Sequence, residues 1–495
     1  MTYTSKTTPF KHQQAYVDQH LYDEAYGLWW EMGVAKSKPT IDTIGALFEE
    51  GKLNGALVLA PKGVAPNWTN DEIPLHLGVD PERVRMFLWN SDKANGKKYQ
   101  AELDKFLKTP ADQLAILVMS YDGIMTERRP GAKPGIRKGK EAAKELLTSR
   151  SCLFALDESA RIKSPDSKRT KRVLAAGKHA PFRRVLTGTP VPNSPFDVYT
   201  QIRFLDPDIW KRIGCGTFAA FKQMFGVWIE HTRNDNGQRF QQLVDYQNLA
   251  MLNKIVDQMG ERLLKDDVLD LPPKLYEKRT FDMAPAQAKF YKQMRDEFMV
   301  MLESGDMVTA ALAITRMLRL QQVASGYCPT DEGDMIEFDK NPRLSCLMDT
   351  VEDIPHQAII FAKFQKDIDL IEAALKKAGK TCVVYDGRVK QDDRETRREA
   401  FKAGEVQFFV ANPAAAGEGL TLHMAKTVIY YNSTYKLGDR LQSEDRAHRA
   451  GMDDKPVTYI DIVARGTIDV QIMRALRQKV DLAAQVTGDR IKEWI

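Results

Sequence analysis

The sequence predicts an α/β protein with two lobes, each a parallel sheet flanked by helices, and a helical insertion between them. Two observations carry this. Short apolar runs alternate with amphipathic stretches over the first part of the chain, and the same alternation returns near the end. Runs of this kind are buried on both faces, as in parallel sheets covered by helices. Between the two, apolar residues recur at helical spacing.

In the first part, the candidate strands are Leu28-Trp29-Trp30, Ala56–Ala60, Leu114–Met119, Leu153–Leu156 and Val185-Leu186. Residues 206–340 read as mostly helical, with Met283 to Leu302 and Val308 to Val323 as the clearest segments and Leu271-Pro272-Pro273 as a linker. Ala358–Phe361, Cys382–Tyr385, Val406–Val410, Thr427–Tyr431 and Val457–Val463 predict the second sheet. The expected division is therefore 1–205, 206–340 and 341–495, with a ligand cleft between the two lobes.

Composition bounds the class. The chain has 495 residues, 43% hydrophobic and 28% charged, which suits two or three globular domains. No apolar run is long enough to cross a bilayer, and the first residues lack a secretory pattern, so the expected compartment is the cytosol. The five cysteines are scattered without a CxxC pair, against a zinc module or disulfide scaffold. A net charge of +5 permits a polyanionic partner without requiring one.

After the first strand comes Glu31-Met32-Gly33-Val34-Ala35-Lys36-Ser37, then a helix-like run from Thr40 to Glu50. Strand, small-residue turn, Lys-Ser and helix is an arrangement that cradles a triphosphate. Backbone N–H groups of Gly33, Val34 and Ala35 and the helix N-terminus face the phosphates, Lys36 neutralises oxygens, and the Ser37 hydroxyl takes Mg²⁺. An ordinary strand-turn-helix with an exposed lysine fits this segment equally well. Ala35 stands where glycine is usual, at a possible cost on the order of 1 kcal/mol should its φ be positive.

The Leu153–Leu156 strand ends in Asp157-Glu158. Two carboxylates at the end of a buried strand are costly without partners. Beside a phosphate loop, Asp157 would orient Mg²⁺ through its water shell and Glu158 would polarise the attacking water. Two acidic residues capping the next helix are the plainer alternative. Thr187-Gly188-Thr189 follows another strand, and its hydroxyls can couple to the acidic loop or simply close a turn.

In the second lobe, Gly417 and Gly419 follow a strand and would let the backbone approach a ligand closely. Gln442, Arg446 and Arg449 are spaced four and three apart, so on a helix they share one face. Arginines reaching a γ-phosphate stabilise charge in the transition state, whereas Glu444 and Asp445 also allow a solvated charged helix. His448 reads as a structural polar contact, having no second ligand at metal spacing.

Taken together, DESARIKSP, LTGTPVPNSPFDVY and a QxxDRxHRxG-like segment resemble the Swi/Snf-related branch of the superfamily-two helicases, especially compact phage and bacterial members. EMGVAKS, LAPKGVAPNW, SYDG and the upstream Phe10-Lys11-His12-Gln13 fit the same pattern, over about residues 9 to 470. The resemblance implies two RecA-like lobes, ATP and Mg²⁺ as cofactors, Gln13 at the nucleotide, and catalytic roles for Glu158, Gln442, Arg446 and Arg449. It further implies translocation on duplex DNA, by alternating grip and release as ATP closes and opens the lobes. No membrane partner is expected, protein partners are undetermined, and a monomer is the default. The expected site is the cytoplasm, that of a bacterial host if the chain is phage-encoded.

Candidate DNA contacts at strand ends are Lys62, Gly63, Ser120, Tyr121 and Asn412. The basic runs Arg128–Lys140 and Arg161–Arg172 are further phosphate-binding candidates, the first equally readable as a solvated loop. Three positions depart from the family pattern: Ala35 for glycine, Ala160 for histidine, and Met452 for glutamine. A strand-separating or annealing helicase acting on DNA or RNA stays open as an alternative. So does a nucleic-acid scaffold with a decayed ATPase.

Overall fold

The computed structural model describes residues 3–127, 136–232, 239–303, 310–330, 332–416, 420, 422–449 and 452–489. It resolves into two compact units. The first comprises Met1–Val227, Tyr246–Leu269 and Leu482–Asp489; the second comprises Trp228–Asp245, Asp270–Asp481 and Arg490–Ile495.

The sheet of the first unit takes β1 (Ala25–Trp30), β2 (Gly55–Ala60), β3 (Val84–Leu88), β4 (Leu114–Ser120), β5 (Cys152–Asp157) and β6 (Phe182–Leu186). A short hairpin follows, β7 (Gly226–Thr232) with β8 (Arg239–Tyr246), before β9 (Gly260–Leu263) returns to the sheet. The order is β3-β4-β2-β5-β6-β1-β9, and all these pairs are parallel. Central β2 is buried throughout, whereas edge strand β3 is half-exposed. That is why β2, β4 and β5 read as near-continuous apolar runs. Helix α1 (Lys11–His20) precedes β1, and α2 (Ser37–Glu49) follows it. Ile41, Ile44 and Leu47 of α2 pack with Leu28, Trp30 and Val58 in one core.

The chain before α1 is bound tightly to α2. Lys38 and Asp42, one turn apart, form an ion pair of 2.6 Å with both side chains 4% exposed. Tyr3 Oη and Ser5 Oγ donate to Asp42 Oδ1 at 2.9 and 2.8 Å, and the Lys38 ammonium also reaches Ser5. The Tyr3 ring lies over Gly45, where any Cβ would stand 2.3 Å from a ring carbon.

The second unit's sheet contains β10 (Lys274–Phe281). After the small ribbon β11 (Tyr327–Pro329) and β12 (Met335–Glu337) come β13 (Ala358–Phe361), β14 (Cys382–Tyr385), β15 (Phe408–Ala411), β16 (Thr427–Tyr430) and β17 (Val457–Ala464). The order is β10-β17-β16-β13-β15-β14, again parallel. Two apolar cores cover its faces, one around Ile360, Val410 and Ile429, the other around Ile359, Phe409 and Val428. Alternate strand residues thus serve opposite faces.

The strands expected from the apolar runs are present. The stretch 206–340 differs from the mostly helical expectation. Its helices include Pro285–Glu303 and Ala310–Ala324, but it also supplies β9 to the first sheet and β10 to the second. Leu271-Pro272-Pro273 falls between them, next to the boundary of the units at 269–270.

Candidate functional site

In an open parallel sheet, ligands meet the loops at the carboxyl ends of the strands. Because β6 lies between β1 and β5, the loops after these three strands are neighbours. They are the phosphate-loop candidate, the acidic pair and the Thr187–Thr189 turn. Contacts among them are direct.

The phosphate loop is shaped from behind by α1. Gln13 is 1% exposed, and its Nε2 donates to the Ala35 carbonyl at 3.0 Å while its Oε1 accepts from the Phe10 N–H. A His12 ring nitrogen lies 3.3 Å from the Val34 carbonyl. In a trans peptide C=O and N–H point in opposite directions. Turning the carbonyls of Val34 and Ala35 toward α1 therefore aims the N–H groups of Ala35 and Lys36 away from it, as a phosphate cradle requires. Gly33 and Ala35 both have positive φ, +82° and +56°. Alanine thus occupies the left-handed conformation that glycine would adopt without strain.

Lys36 Nζ donates to the Glu31 carbonyl at 3.2 Å, spanning the mouth of its own loop. Glu31 is in turn tied to the chain returning through β9. Its N–H donates to Leu263 O at 2.7 Å, and its carboxylate accepts the Lys265 N–H at 2.9 Å. Ser37 is the first residue of α2, placing its hydroxyl at the helix N-terminus.

Asp157 ends β5, and Glu158 follows at φ +52°, again left-handed. Thr187 Oγ1 donates to Glu158 Oε2 at 3.3 Å, and the Thr189 N–H donates to Thr187 Oγ1 at 3.2 Å. Thr189 therefore acts on its own turn, and Thr187 meets the acidic loop. Gly188 packs so closely on the phosphate loop that a Cβ there would stand 2.8 Å from the Met32 nitrogen. Asp157 is half-buried, and that burial pushes its carboxyl above the usual range. The Trp68 indole N–H, the Lys36 ammonium and the Glu158 backbone N–H act in the opposite direction.

The Ser37 hydroxyl and the Asp157 carboxylate fit a nucleotide-bound magnesium ion, which keeps several waters and takes few protein ligands, while the Lys36 ammonium suits phosphate oxygens. Among the described residues, no three His, Cys, Asp or Glu side chains gather as a metal site of their own.

In the second unit, helix Leu437–Glu444 carries Gln442 and ends before the arginines. The expectation of one continuous helical face is corrected here. Arg446, Ala447 and His448 follow in turns, with N–H bonds back to Ser443 and Glu444 at 3.3 Å. The change of path still brings both guanidinium groups to one acceptor. Arg446 Nη1 and Arg449 Nη1 lie 3.0 and 3.5 Å from Leu420 O, and Arg446 Nε donates to Gln442 O at 3.1 Å. His448 makes a structural contact, a ring nitrogen 2.7 Å from Pro272 O. Gly417 and Gly419 lie outside the described residues.

The candidate DNA contacts divide. Lys62 is exposed in the turn after β2, with Gly63 beside it. Ser120 Oγ accepts the Gly123 N–H, and Tyr121, 3% exposed, donates its hydroxyl to the Asp157 carbonyl at 2.8 Å. Tyr121 is thus part of the acidic-loop support, turned inward by a buried acceptor. Asn412 is also engaged internally, donating to Lys363 O at 2.7 Å and accepting from the Ala414 N–H at 2.9 Å. Of the basic runs, 128–135 lies outside the described residues, while Arg169 and Arg172 pair with Asp122 and Glu127.

Sequence reasoning missed Trp68, Glu31 and a buried polar group in the second unit. There, Asp367, Asn432, Lys363 and Gln321 connect β13, β16 and helix Ala310–Ala324. The Lys363 N–H donates to Asn432 Oδ1 at 2.7 Å, Asn432 Nδ2 donates to Asp367, and Gln321 Nε2 donates to Ser433 O at 2.9 Å. Burial raises Asp367 to about 7 and lowers Lys363 to about 8.

The SNF2-related domain matches residues 27–326, and the helicase conserved C-terminal domain matches residues 339–451. A probable ATP-dependent DNA helicase CHR23 of Arabidopsis thaliana is 27% identical over 94% of this chain and 42% of its own length. The ISWI chromatin-remodeling complex ATPase CHR17 of the same plant is 27% identical over 92% of this chain and 40% of its own. The chain therefore spans about two fifths of the length of these curated relatives. Among solved structures, the Sulfolobus solfataricus SWI2/SNF2 ATPase core in complex with dsDNA aligns with 99% of this chain and 95% of its own, at 21% identity and a TM-score of 0.41. With one domain family covering 27–326 and the second following in order, the chain belongs to the SNF2-related family.

Proposed function

We propose that the chain is an ATP-dependent motor that moves along duplex DNA. The observation that carries this is the joined set of strand-end loops in the first unit: Lys36 and Ser37 after β1, Asp157 and Glu158 after β5, and Thr187 bonded to Glu158. The names of the relatives, an ATP-dependent DNA helicase and a chromatin-remodeling ATPase, support ATP use and a DNA partner.

In this reading, ATP and its Mg²⁺ supply the reacting phosphoryl group and the charge that neutralises it. The N–H groups of the Gly33–Ser37 loop and the Lys36 ammonium bind the phosphates, with Ser37 and Asp157 as the magnesium ligands, the latter through water. Glu158 accepts the proton of the attacking water, oriented by the Thr187 hydroxyl. Arg446 and Arg449, with Gln442 beside them, stabilise the charge that develops, and Gly417 and Gly419 let the backbone approach the nucleotide. Lys62, Gly63 and Ser120 are the remaining backbone-contact candidates for DNA. Tyr121 and Asn412 serve that side indirectly, through the loops they hold.

The test is ATP turnover with duplex DNA, single-stranded DNA and RNA, using wild type, Lys36→Ala and Glu158→Gln. Duplex-stimulated turnover that both substitutions abolish supports the proposal. Equal inactivity of all three proteins overturns it in favour of a scaffold. Displacement of a third strand from a triplex, without strand separation, is expected; unwinding without triplex displacement would identify a strand-separating helicase instead. No helix among the described residues is long and apolar enough to cross a membrane.

A further inference from the structure

The acidic pair at the end of β5 is supported by a residue that does not belong to the phosphate loop or to the acidic loop. Trp68 begins a π-helical turn, Trp68–Glu72, after the short helix Ala65–Asn67. That turn leaves the carboxyl end of β2, the strand paired with β5 through Leu59 and Leu156. The chain thus crosses from one strand end to the next, and the indole is 1% exposed there. Its Nε1–H donates to Asp157 Oδ2 at 2.9 Å.

The chemistry of this pair is one-sided. An indole N–H only donates, so it bonds to a carboxylate lone pair and gives nothing back. A fixed donor aimed at Oδ2 fixes the rotation of the carboxylate, leaving Oδ1 as the oxygen free of the indole. Helical turns of the π type are often found at functional sites.

We propose that Trp68 is a positioning residue for the ATPase reaction: its indole N–H fixes the rotation of the Asp157 carboxylate for the magnesium-bound nucleotide. This rests on the ATPase reading of Asp157 given above. Trp68 does not touch substrate in this proposal, and it acts only through Asp157.

The deciding substitution is Trp68→Phe, which keeps an aromatic ring in the core and removes the donor. Two measurements on the full chain separate positioning from packing. The first is the Mg²⁺ dependence of ATP turnover. Trp68→Phe is expected to raise the Mg²⁺ concentration for half-maximal rate about fivefold or more. Rates at saturating Mg²⁺ should return to within about threefold of wild type. An unchanged Mg²⁺ dependence overturns the proposal, whatever happens to stability.

The second measurement needs no turnover and no nucleotide. The indole ¹⁵N–¹H resonance of Trp68, assigned by its loss in Trp68→Phe or by selective labelling, should move in Asp157→Asn, where the acceptor loses its charge. A resonance indifferent to Asp157→Asn overturns the proposal even if ATPase activity is present. A resonance that moves in a protein with no ATPase activity would instead uphold the contact and refute the catalytic reading on which its purpose rests.

Discussion

The side-chain amide of Gln13 donates to the carbonyl oxygen of Ala35 across 3.0 Å, and Ala35 is held there at φ +56°. The contact links α1 to a strained position of the phosphate loop. Ala35→Gly relieves the Cβ clash but adds freedom to the unfolded chain, so a net stabilisation of about 0.5 kcal/mol is expected. ATP affinity should rise by about twofold, measured by titration with a fluorescent nucleotide. Gln13→Ala should weaken binding in the same assay, because it releases the carbonyl that orients the Lys36 N–H.

The Lys38–Asp42 pair gives a second prediction. Asp42→Ala leaves a buried ammonium without its carboxylate, bonded to Ser5, and it should destabilise the first unit by about 3 kcal/mol. Combining Lys38→Met with Asp42→Leu removes both charges and should recover most of that loss. Urea unfolding followed by tryptophan fluorescence checks both. A single substitution that costs nothing would show that the pair is not buried in solution.

Asp367 sets a pH dependence. Its folded pKa is raised to about 7, above its unfolded value. The group binds more protons folded than unfolded, so its stabilising contribution is full below about pH 4 and is lost as pH rises through about 7. The second unit should lose on the order of 2–4 kcal/mol across that window on this account alone. In Asp367→Asn the loss should vanish, as measured by thermal unfolding at a series of pH values.

Arg440 is the keystone of the helix that precedes the arginine turn. It is 1% exposed, bonds both oxygens of Asp461 and one of Glu444, and lies over the Tyr430 ring at 3.5 Å. Burial alone would raise Glu444, but Lys274 and Arg440 overcome it and hold that carboxyl at about 2. Lysine cannot reproduce a planar fork that is bidentate and stacked at once. Arg440→Lys should therefore cost about 2–3 kcal/mol and lower ATP turnover by displacing Arg446 and Arg449. Thermal unfolding and turnover on the same sample measure the two effects.

The central strands were legible because burial on both faces leaves an unbroken apolar run, as in β2, β4 and β5. Three of the four edge strands were not, β14 being the exception. β3 is half-exposed, β9 is Gly-Glu-Arg-Leu, and β10 places charged residues along a partly solvated edge. Pairing with a neighbour makes them strands, and no local pattern announces that. In the site, the acidic pair and the phosphate loop could be read from residue type at strand ends. Trp68 could not, since its role depends on which strand lies beside β5. The helical face expected for Arg446 and Arg449 also failed, because the helix ends at Glu444 and the chain turns. Regular spacing carries no information about where a helix stops without a capping signal.

Glu158 stands at φ +52°, a conformation that costs an L-residue on the order of 1 kcal/mol and glycine almost nothing. Glutamate and glycine codons differ at a single base. On the role proposed here, that one exchange would silence turnover while relaxing the backbone. Fold maintenance and catalysis thus pull in opposite directions at this codon. A lineage released from the need for ATP hydrolysis would have an easy route to a dead protein that folds as well as its ancestor or better. The carboxylate persists at position 158 only while something selects for what it does.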